Sequence, residues 1–396
     1  MFKNQSKSII LFFFLILQVT IYAKTDYQLS PYAEISVLTC DPGNAIYATF
    51  GHTALRVKDT ANDLDLVYNY GTFDFNTPNF YMKFVKGKLH YKLAVSKFKY
   101  FRFEYVATDR SIYEQVLNLT RKQKEELYRL LQINYRPENR YYLYDFLYDN
   151  CATRVRDIIE LAIQGKIIYQ YKEKKEEKSF RKLLAHYISG NSWLDLGINI
   201  ALGLPADKKA NLREYLFLPD FYMYVYDDSQ ILGNNTKKQL VKEKNIIFKT
   251  DISKKTKQIF SACVVFWLFF ITGFLLTITG IWRKKQYKII DVFLFGITGM
   301  LGLLLLFLWF FTDHYAMSGN LNILWAFPLN FFAAIFIYLL RKKKRFRAYF
   351  LFTGVLNLLV LVFWNVIPQD FHTCIIPIVL LLITRSFYLY FFTKKH

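Results

Sequence analysis

"YDNCATRVRD" (148–157) places a cysteine directly after Asp149 and Asn150, two residue types that favour the N-cap of a helix. In the first helical turn, free N–H groups and the positive end of the helix dipole favour a thiolate. The helix predicted over 150–165 turns Cys151 inward, because apolar side chains share its face. These side chains are Val155, Ile158, Ile159 and Ala162. The segment therefore predicts a helix that begins at an inward-facing cysteine.

The local pattern leaves three roles open for Cys151. It is a nucleophile, a small core residue, or half of a disulfide with Cys40, the other cysteine in the polar part of the chain. Cys263 and Cys374 fall in apolar stretches, where we expect them to pack as small hydrophobic residues. The sequence has no CxxC or HExxH motif and no His-rich tract. We therefore predict no metal and no cofactor.

A nucleophilic cysteine needs a base, and His52 is the candidate. His52 follows "FG" at the head of a predicted strand, and the segment 52–71 predicts a hairpin that turns near residues 60–61. In that register Asn69 lies opposite His52 on the same face of the sheet, where its amide would orient the imidazole. The alternative interpretation is that His52 is a structural histidine.

Other segments predict the surroundings of this hairpin. Residues 33–40 predict a strand, and residues 119–135 predict an amphipathic helix with a Thr120–Gln123 capping box. Gly165 is the predicted end of the helix that begins near Cys151. A group of aromatic residues follows the hairpin and predicts either an acyl-facing surface or ordinary core: Phe73, Phe75, Phe80, Tyr81 and Phe84.

The composition points to a membrane protein, because 53% of the residues are hydrophobic and 19% are aromatic. Residues 1–23 combine a positive start with an apolar run and predict a signal peptide or signal anchor. Residues 24–258 are polar enough for a globular domain, and residues 259–396 predict a transmembrane domain. Its apolar runs approach the length of a membrane-spanning helix. They cover about 259–281, 289–311, 323–340, 349–367 and 371–392.

The loops between these runs predict the orientation. "RKKQYK" (283–288) and "RKKKRFR" (341–347) are strongly basic, which places them in the cytoplasm. "TDHYAMSGNLN" (312–322) and "PQDFH" (368–372) contain no Lys or Arg, so residues 24–258 are predicted to lie outside. The basic segment 236–257 opposes this orientation, but long translocated domains largely escape the rule. Because much of the net charge of +21 lies in such loops, no nucleic-acid partner is predicted.

Three motifs, together with the five apolar runs, resemble the Lnb family of bacterial envelope proteins. The motifs are "FGHTALRV" (50–57), "VYNYGTFDF" (67–75) and "PENRYYLYDFLYDNCATRVRD" (137–157). The order of histidine on a strand and then cysteine on a helix is similar to that of circularly permuted papain-like proteins. These include the lecithin:retinol acyltransferases and are related to the NlpC/P60 hydrolases. The resemblance implies an α+β permuted papain-like (NlpC/P60/LRAT-like) periplasmic domain followed by a five-helix transmembrane region.

The resemblance also implies a function. Lnb proteins are understood to be lipoprotein N-acyltransferases of Bacteroides-type bacteria, so Cys151 would be the nucleophile and His52 the general base. Cys151 would take an acyl chain from a phospholipid as a thioester, and the chain would pass to the α-amine of the N-terminal diacylglyceryl-cysteine of a lipoprotein. Asn69 as the orienting residue rests on the hairpin argument rather than on the motif. The implied location is the bacterial inner membrane, multi-pass, with the catalytic domain in the periplasm.

Two other functions remain open at this point. One is a membrane-anchored NlpC/P60-type cysteine peptidase or amidase of the cell envelope, which would use the same Cys151 and His52. The other is a non-catalytic envelope binding module. The five predicted spans favour the acyltransferase, because both of its substrates, the phospholipid donor and the diacylated lipoprotein acceptor, are embedded in the bilayer.

Overall fold

A computed structural model describes residues 28–173, 176–233, 236–250, 260–340 and 343–395 of the chain. The predicted signal segment, residues 1–23, lies outside these ranges. The described residues form an α+β unit followed by a set of long apolar helices, so the predicted fold class is confirmed. The domain boundaries at residues 23 and 258 stay a prediction.

Strands form two antiparallel sheets in the α+β unit. They are β1 (Glu34–Cys40), β2 (His52–Asp59), β3 (Leu64–Thr72), β4 (His90–Lys97), β5 (Ile112–Leu117), β6 (Tyr141–Leu143), β7 (Lys166–Ile168), β8 (Gln230–Leu232), β9 (Lys237–Gln239) and β10 (Val241–Phe248). The large sheet has the order β10-β5-β1-β2-β3-β4-β6, and β7, β8 and β9 form the small one. The predicted strand at 33–40 is thereby confirmed as β1, which lies inside the large sheet between β5 and β2.

Helices cover and extend this sheet. They are α1 (Phe80–Val85), α2 (Phe98–Ala107), α3 (Arg121–Tyr135), α4 (Cys151–Ile163), α5 (Phe180–Ile188), α6 (Ser192–Ala201), α7 (Leu212–Tyr215) and α8 (Pro219–Asp228). The predicted capping box at the start of α3 is present, since Thr120 and Gln123 bond reciprocally. Helix α4 packs against α3, β2 and β3, and the apolar face predicted for it is buried.

Two details of these predictions are wrong. Helix α4 ends at Ile163, because Gln164 rather than Gly165 takes the left-handed conformation that stops it, with φ of 49°. The hairpin pairs Leu55 with Tyr68, a register shifted by two residues from the predicted one. A shift of two leaves every side chain on its predicted face, because strand side chains alternate with period two. A three-residue 3-10 turn between the strands accounts for the shift.

Five helices follow the α+β unit: α9 (Ala262–Trp282), α10 (Lys288–Phe310), α11 (Leu329–Leu340), α12 (Lys344–Val362) and α13 (Ile376–Lys395). Four helical segments of the described chain are long and apolar enough to span a membrane by themselves. The third predicted run, 323–340, is not one straight helix, since residues 315–324 and α11 meet at an angle of 43°. Pro328 directly precedes α11, and proline favours a helix start over a helix interior. The third apolar run therefore forms a bent pair of short segments.

The α+β unit contacts the two loops that lack Lys and Arg. The N–H of Asp313 donates to the carbonyl of Lys86 at 2.9 Å, and the amide of Asn320 donates to the carbonyl of Ile200 at 2.8 Å. The amide of Gln369 reaches the same surface. These contacts place the α+β unit at the end of the helices that the positive-inside rule assigns to the outside.

Two bonded pairs hold the membrane helices together. Cys263 at the start of α9 and Cys374 just before α13 form a disulfide, so their predicted role as separate small hydrophobic residues is wrong. Both lie at the outer end of their helices, where an oxidising compartment permits the bond. Deeper in the bundle, the fully buried guanidinium of Arg385 pairs with Asp291 through two bonds of 2.6 and 2.8 Å. This ion pair lowers the free-energy cost of burying a charge among apolar helices.

Candidate active site

The side chain of Asn150 caps α4. Its Oδ1 accepts from the N–H groups of Ala152 and Thr153, both at 2.9 Å. Its amide donates to the carbonyls of Phe146 and Phe217, which fixes the start of the helix against two other segments. Asn150 is buried, so each of these bonds is made away from water. The result is a rigid first turn that carries the sulfur of Cys151.

His52 and Asn69 stand beside this turn. Nε2 of His52 donates to Oδ1 of Asn69 at 2.6 Å, which leaves Nδ1 to face the thiol of Cys151, with which His52 also shares a hydrogen bond. Among the described residues, the β2–β3 pairing ends at Leu55 and Tyr68, so His52 and Asn69 lie where these two strands have separated. Each is still paired on its other side, His52 with β1 and Asn69 with β4. The structure therefore brings together the three residues that the sequence singled out.

Gly71 makes room for this arrangement. It lies in an irregularity of the β3–β4 pairing between Asn69 and Thr72, with φ of +88°. A Cβ on Gly71 would lie 3.4 Å from the Cβ of Cys151. Bulges of this kind are common next to active sites, where they let a strand turn away from its neighbour. Gly71 thus permits both the bulge and the close approach of α4.

The electrostatics favour a charged Cys–His pair. Burial raises the pKa of the Cys151 thiol, but the charge and hydrogen bond of His52 and the N–H groups of Thr53 and Ala152 lower it. The net pKa lies below the ordinary thiol value. Burial lowers the pKa of His52, but the charge of Cys151 and hydrogen bonds to Cys151 and Asn69 raise it above its ordinary value. Each residue therefore shifts the other toward its charged form, the thiolate of Cys151 and the imidazolium of His52.

Tyr144 is a fourth member of the site that the sequence did not single out. A Cβ on Gly71 would lie 3.5 Å from the Tyr144 ring and 3.4 Å from the Cβ of Cys151, so Tyr144 lies beside the cysteine. Burial, followed by the charge of Cys151, raises the pKa of Tyr144 well above the ordinary value, so its hydroxyl stays protonated and is able to donate to the sulfur. The sequence does not distinguish Tyr144 from the other tyrosines between 141 and 148, because its role depends on where the chain folds back onto α4.

The remaining candidates lie elsewhere or are already paired. Cys40 and Cys151 are both free thiols, which removes the predicted alternative of a disulfide between them. Burial raises the pKa of Cys40, so it stays an unreactive thiol. Arg154 is bonded to Asp149 at 2.6 Å and stacks on the ring of Tyr142. No cluster of three potential metal ligands occurs in the described part of the chain.

Several of the aromatic residues after the hairpin are exposed, which is not the pattern of ordinary core. Phe75 is 61% exposed, Tyr81 is 78% exposed and Phe84 is 49% exposed. Phe73 and Phe80 pack between them, with ring centroids 5.8 Å apart. This patch lies next to the outer membrane loop, since the carbonyl of Phe84 accepts a hydrogen bond from His314 at 2.9 Å.

Two family models match the chain. The Lnb N-terminal periplasmic domain matches residues 22–185, which include His52, Asn69 and Cys151, and the Lnb transmembrane domain matches residues 254–396. No curated protein and no solved structure matches the chain. The two matches follow one another in the same order as the α+β unit and the apolar helices. The chain therefore belongs to the Lnb family, as a membrane protein with a periplasmic domain.

Proposed function

We propose that this protein is a lipoprotein N-acyltransferase of the bacterial inner membrane. The observation that carries the proposal is the Cys151–His52–Asn69 arrangement on a domain that rests against membrane helices. A thiolate beside an imidazolium suits acyl transfer through a thioester. A site attached to the bilayer suits substrates that are lipids.

In the first half-reaction, the Cys151 thiolate attacks the carbonyl carbon of a phospholipid ester. The oxyanion that forms accepts hydrogen bonds from donors at the start of α4. The candidate donors are the N–H of Cys151, the hydroxyl of Tyr144, and the N–H groups of Thr53 and Ala152, which already interact with the sulfur. When the ester C–O bond breaks, His52 gives its proton to the departing alkoxide. The products are a thioester on Cys151, a lysophospholipid and neutral His52.

In the second half-reaction, the α-amine of a diacylglyceryl-cysteine attacks the thioester carbon. His52 accepts the proton that the amine loses, and the C–S bond breaks. The products are an N-acylated lipoprotein, a thiolate on Cys151 and a protonated His52. The charged pair is thus restored without any co-reactant, which is consistent with a site that uses no cofactor.

Positive charge near the site supports a phospholipid as the donor. A cavity of about 410 Å³ shares Phe73 with the aromatic patch, and its lining includes two lysines, Lys83 and Lys92, and one carboxylate, Asp74. Ammonium groups of lysine are suited to a phosphate group. The donor phosphate would lie there, while its ester lies at Cys151.

The test is a strain in which the Cys151→Ala variant is the sole copy, with lipoprotein N-termini read by mass spectrometry. We expect triacylated N-termini to disappear and diacylated ones to accumulate. Cys40→Ala is the matched control, because it removes the other thiol of the α+β unit and should leave N-acylation intact. Persistent N-acylation in the Cys151→Ala strain would overturn the proposal. Release of cell-wall peptides that depends on Cys151 would instead support the peptidase.

A further inference from the structure

A row of aromatic rings begins at the thiol. Tyr144 lies beside Cys151, because a Cβ on Gly71 would lie 3.5 Å from the Tyr144 ring and 3.4 Å from the Cβ of Cys151. The ring centroid of Tyr144 is 4.5 Å from that of Tyr91. The Tyr91 ring lies 5.4 Å from that of Phe73, at the end of β3. The row therefore leaves the site along the edge of the sheet and enters the segment that follows the hairpin.

The same row ends at the membrane helices. Phe73 lies 5.8 Å from Phe80, and Phe80 stacks parallel to Phe84 with a centroid distance of 6.3 Å. The ring of Phe84 lies 6.4 Å from that of His314, which lies in the outer loop between α10 and α11. Consecutive rings thus connect Cys151 with the loop that follows the outer end of α10.

The outer part of this row is open to its surroundings. Phe84 is half exposed, and Phe75 and Tyr81 beside it are more exposed still. Contiguous exposed apolar patches on a protein surface mark sites that bind apolar partners or membranes. Because this patch begins at a loop that leaves the membrane, lipid is the partner that reaches it without crossing water.

An acyl chain that travels from the bilayer to Cys151 needs an apolar surface along its whole path, since each methylene left in water costs free energy. We propose that Tyr91, Phe73, Phe80 and Phe84 form an aromatic track that binds one acyl chain of the donor phospholipid between the bilayer and Cys151. This assignment rests on the proposed function and names the part of the site that selects a long chain. A short acyl group would reach the thiol without using the track.

The first experiment tests binding without catalysis. The full-length Cys151→Ala variant is placed in vesicles of phosphatidylethanolamine that contain a phosphatidylcholine with a diazirine in the middle of one acyl chain. After illumination, crosslinked peptides are mapped by mass spectrometry. We expect crosslinks on residues 73–84 and on Tyr91, with their yield reduced by Phe80→Asp. Crosslinks confined to α9–α13 would overturn the proposal whether or not the protein is a transferase.

The second experiment measures thioester formation on Cys151 with donors of different chain length. With a 16-carbon phospholipid, the rate should fall about tenfold or more in Phe80→Asp, because a charge interrupts the apolar path. With a six-carbon donor, the rate should change less than about twofold. Phe80→Leu should restore the long-chain rate, and Phe84→Ser provides a second, milder break in the track. Phe103→Asp is the control for a new carboxylate on an aromatic surface position, because Phe103 is a ring on α2, outside the track, and is more exposed than Phe80.

The outcomes separate the two proposals. Equal losses with both donors, or no loss with either, would contradict the aromatic track while leaving the acyltransferase intact. The absence of any thioester in the unmodified protein would contradict the acyltransferase. The crosslinking experiment would then be the test of whether the aromatic track binds an acyl chain.

Discussion

At the scale of single residues, burial disfavours the charged forms of Cys151 and His52, whereas each of the two residues favours the charged form of the other. Burial raises the thiol pKa and lowers the imidazole pKa, but the mutual attraction and the surrounding hydrogen bonds reverse both effects. Asn69 takes part by accepting a hydrogen bond from Nε2 of His52, which leaves Nδ1 as the nitrogen available to the sulfur. The reactivity of the thiol therefore depends on His52 more than on its own position in the helix.

His52→Ala should raise the pKa of Cys151, because it removes the charge and hydrogen bond that lower this pKa. In the unmodified protein the thiolate persists as the pH falls below 9.0, the ordinary thiol value, until it reaches the lowered pKa. The rate of alkylation by iodoacetamide, followed against pH by mass spectrometry, should therefore move to higher pH in the variant. His186→Ala, an exposed histidine away from the site, should leave the profile unchanged. An identical profile in His52→Ala would show that His52 does not activate the thiol.

Sequence patterns predicted that His52 and Asn69 take part in the site, but they missed Tyr144 and Gly71. His52 and Asn69 could be paired although the register was wrong by two residues, because only the parity of the shift decides the face. Tyr144 and Gly71 could not be predicted. Their roles arise from the approach of α4 to the end of β3, a contact between segments far apart in the chain.

At the scale of elements, α4 is the part that positions the chemistry. Its first turn is fixed by Asn150, whose side chain satisfies two helical N–H groups and two carbonyls of other segments. Local pattern was sufficient to predict the cap and the buried face, since both follow from residue type and a period of 3.6. The carbonyl of Phe217 was beyond such prediction, because it comes from another part of the chain.

Asn150→Ala should lower the free energy of unfolding by about 2 kcal/mol, since it removes a cap and leaves buried carbonyls without donors. Thioester formation on Cys151 should fall with it, because the first turn of α4 loosens. Asn211→Ala is the matched control: Asn211 forms the same capping box on the exposed start of α7. It should cost about 1 kcal/mol or less and leave the rate unchanged. Thermal melts and acylation rates of both variants provide the comparison, and equal effects of the two would contradict the role of Asn150.

The third membrane run shows the limit of hydropathy. The sequence 323–340 is apolar enough to predict one span, but Pro328 divides it into segments that meet at 43°. The polar residues just before the bend are used by the α+β unit, since Asn320 and Asn322 both donate to the carbonyl of Ile200. This bent pair of segments therefore supports the α+β unit that rests on it.

At the scale of the whole molecule, the α+β unit is joined to the bundle by backbone contacts. The N–H of Gly203 donates to the carbonyl of Ala316 at 2.9 Å, and Gly203 lies so close to Ser318 that no side chain fits between them. The disulfide between Cys263 and Cys374 closes the bundle at the same outer end. The charges of the loops predicted that this end of the bundle lies outside. Neither the Gly203–Ala316 hydrogen bond nor the Cys263–Cys374 disulfide could be predicted from composition.

Gly203→Ala should separate the two parts of the molecule. Its Cβ would lie 1.9 Å from the carbonyl oxygen of Ser318, and we expect a loss of about 3 kcal/mol in stability from the forced backbone shift. Gly197→Ala is the matched control, because a Cβ there meets no atom within 4 Å. Within α6 it should stabilise by about 0.5–1 kcal/mol. The two variants are compared by limited proteolysis and by the rate of acylation from vesicles. If Gly203→Ala is as active and as resistant to protease as Gly197→Ala, the contact between Gly203 and Ser318 is not important.

The most direct test of the central claim is the intact mass of the purified full-length protein after incubation with phospholipid vesicles. The account predicts one added acyl chain, located on Cys151, that is released by neutral hydroxylamine and that passes to a diacylated lipopeptide when this is added. The adduct should be absent from Cys151→Ala and present in Cys40→Ala. An acyl chain on any other residue, or a Cys151 adduct that water releases but the lipopeptide amine never accepts, would contradict the account.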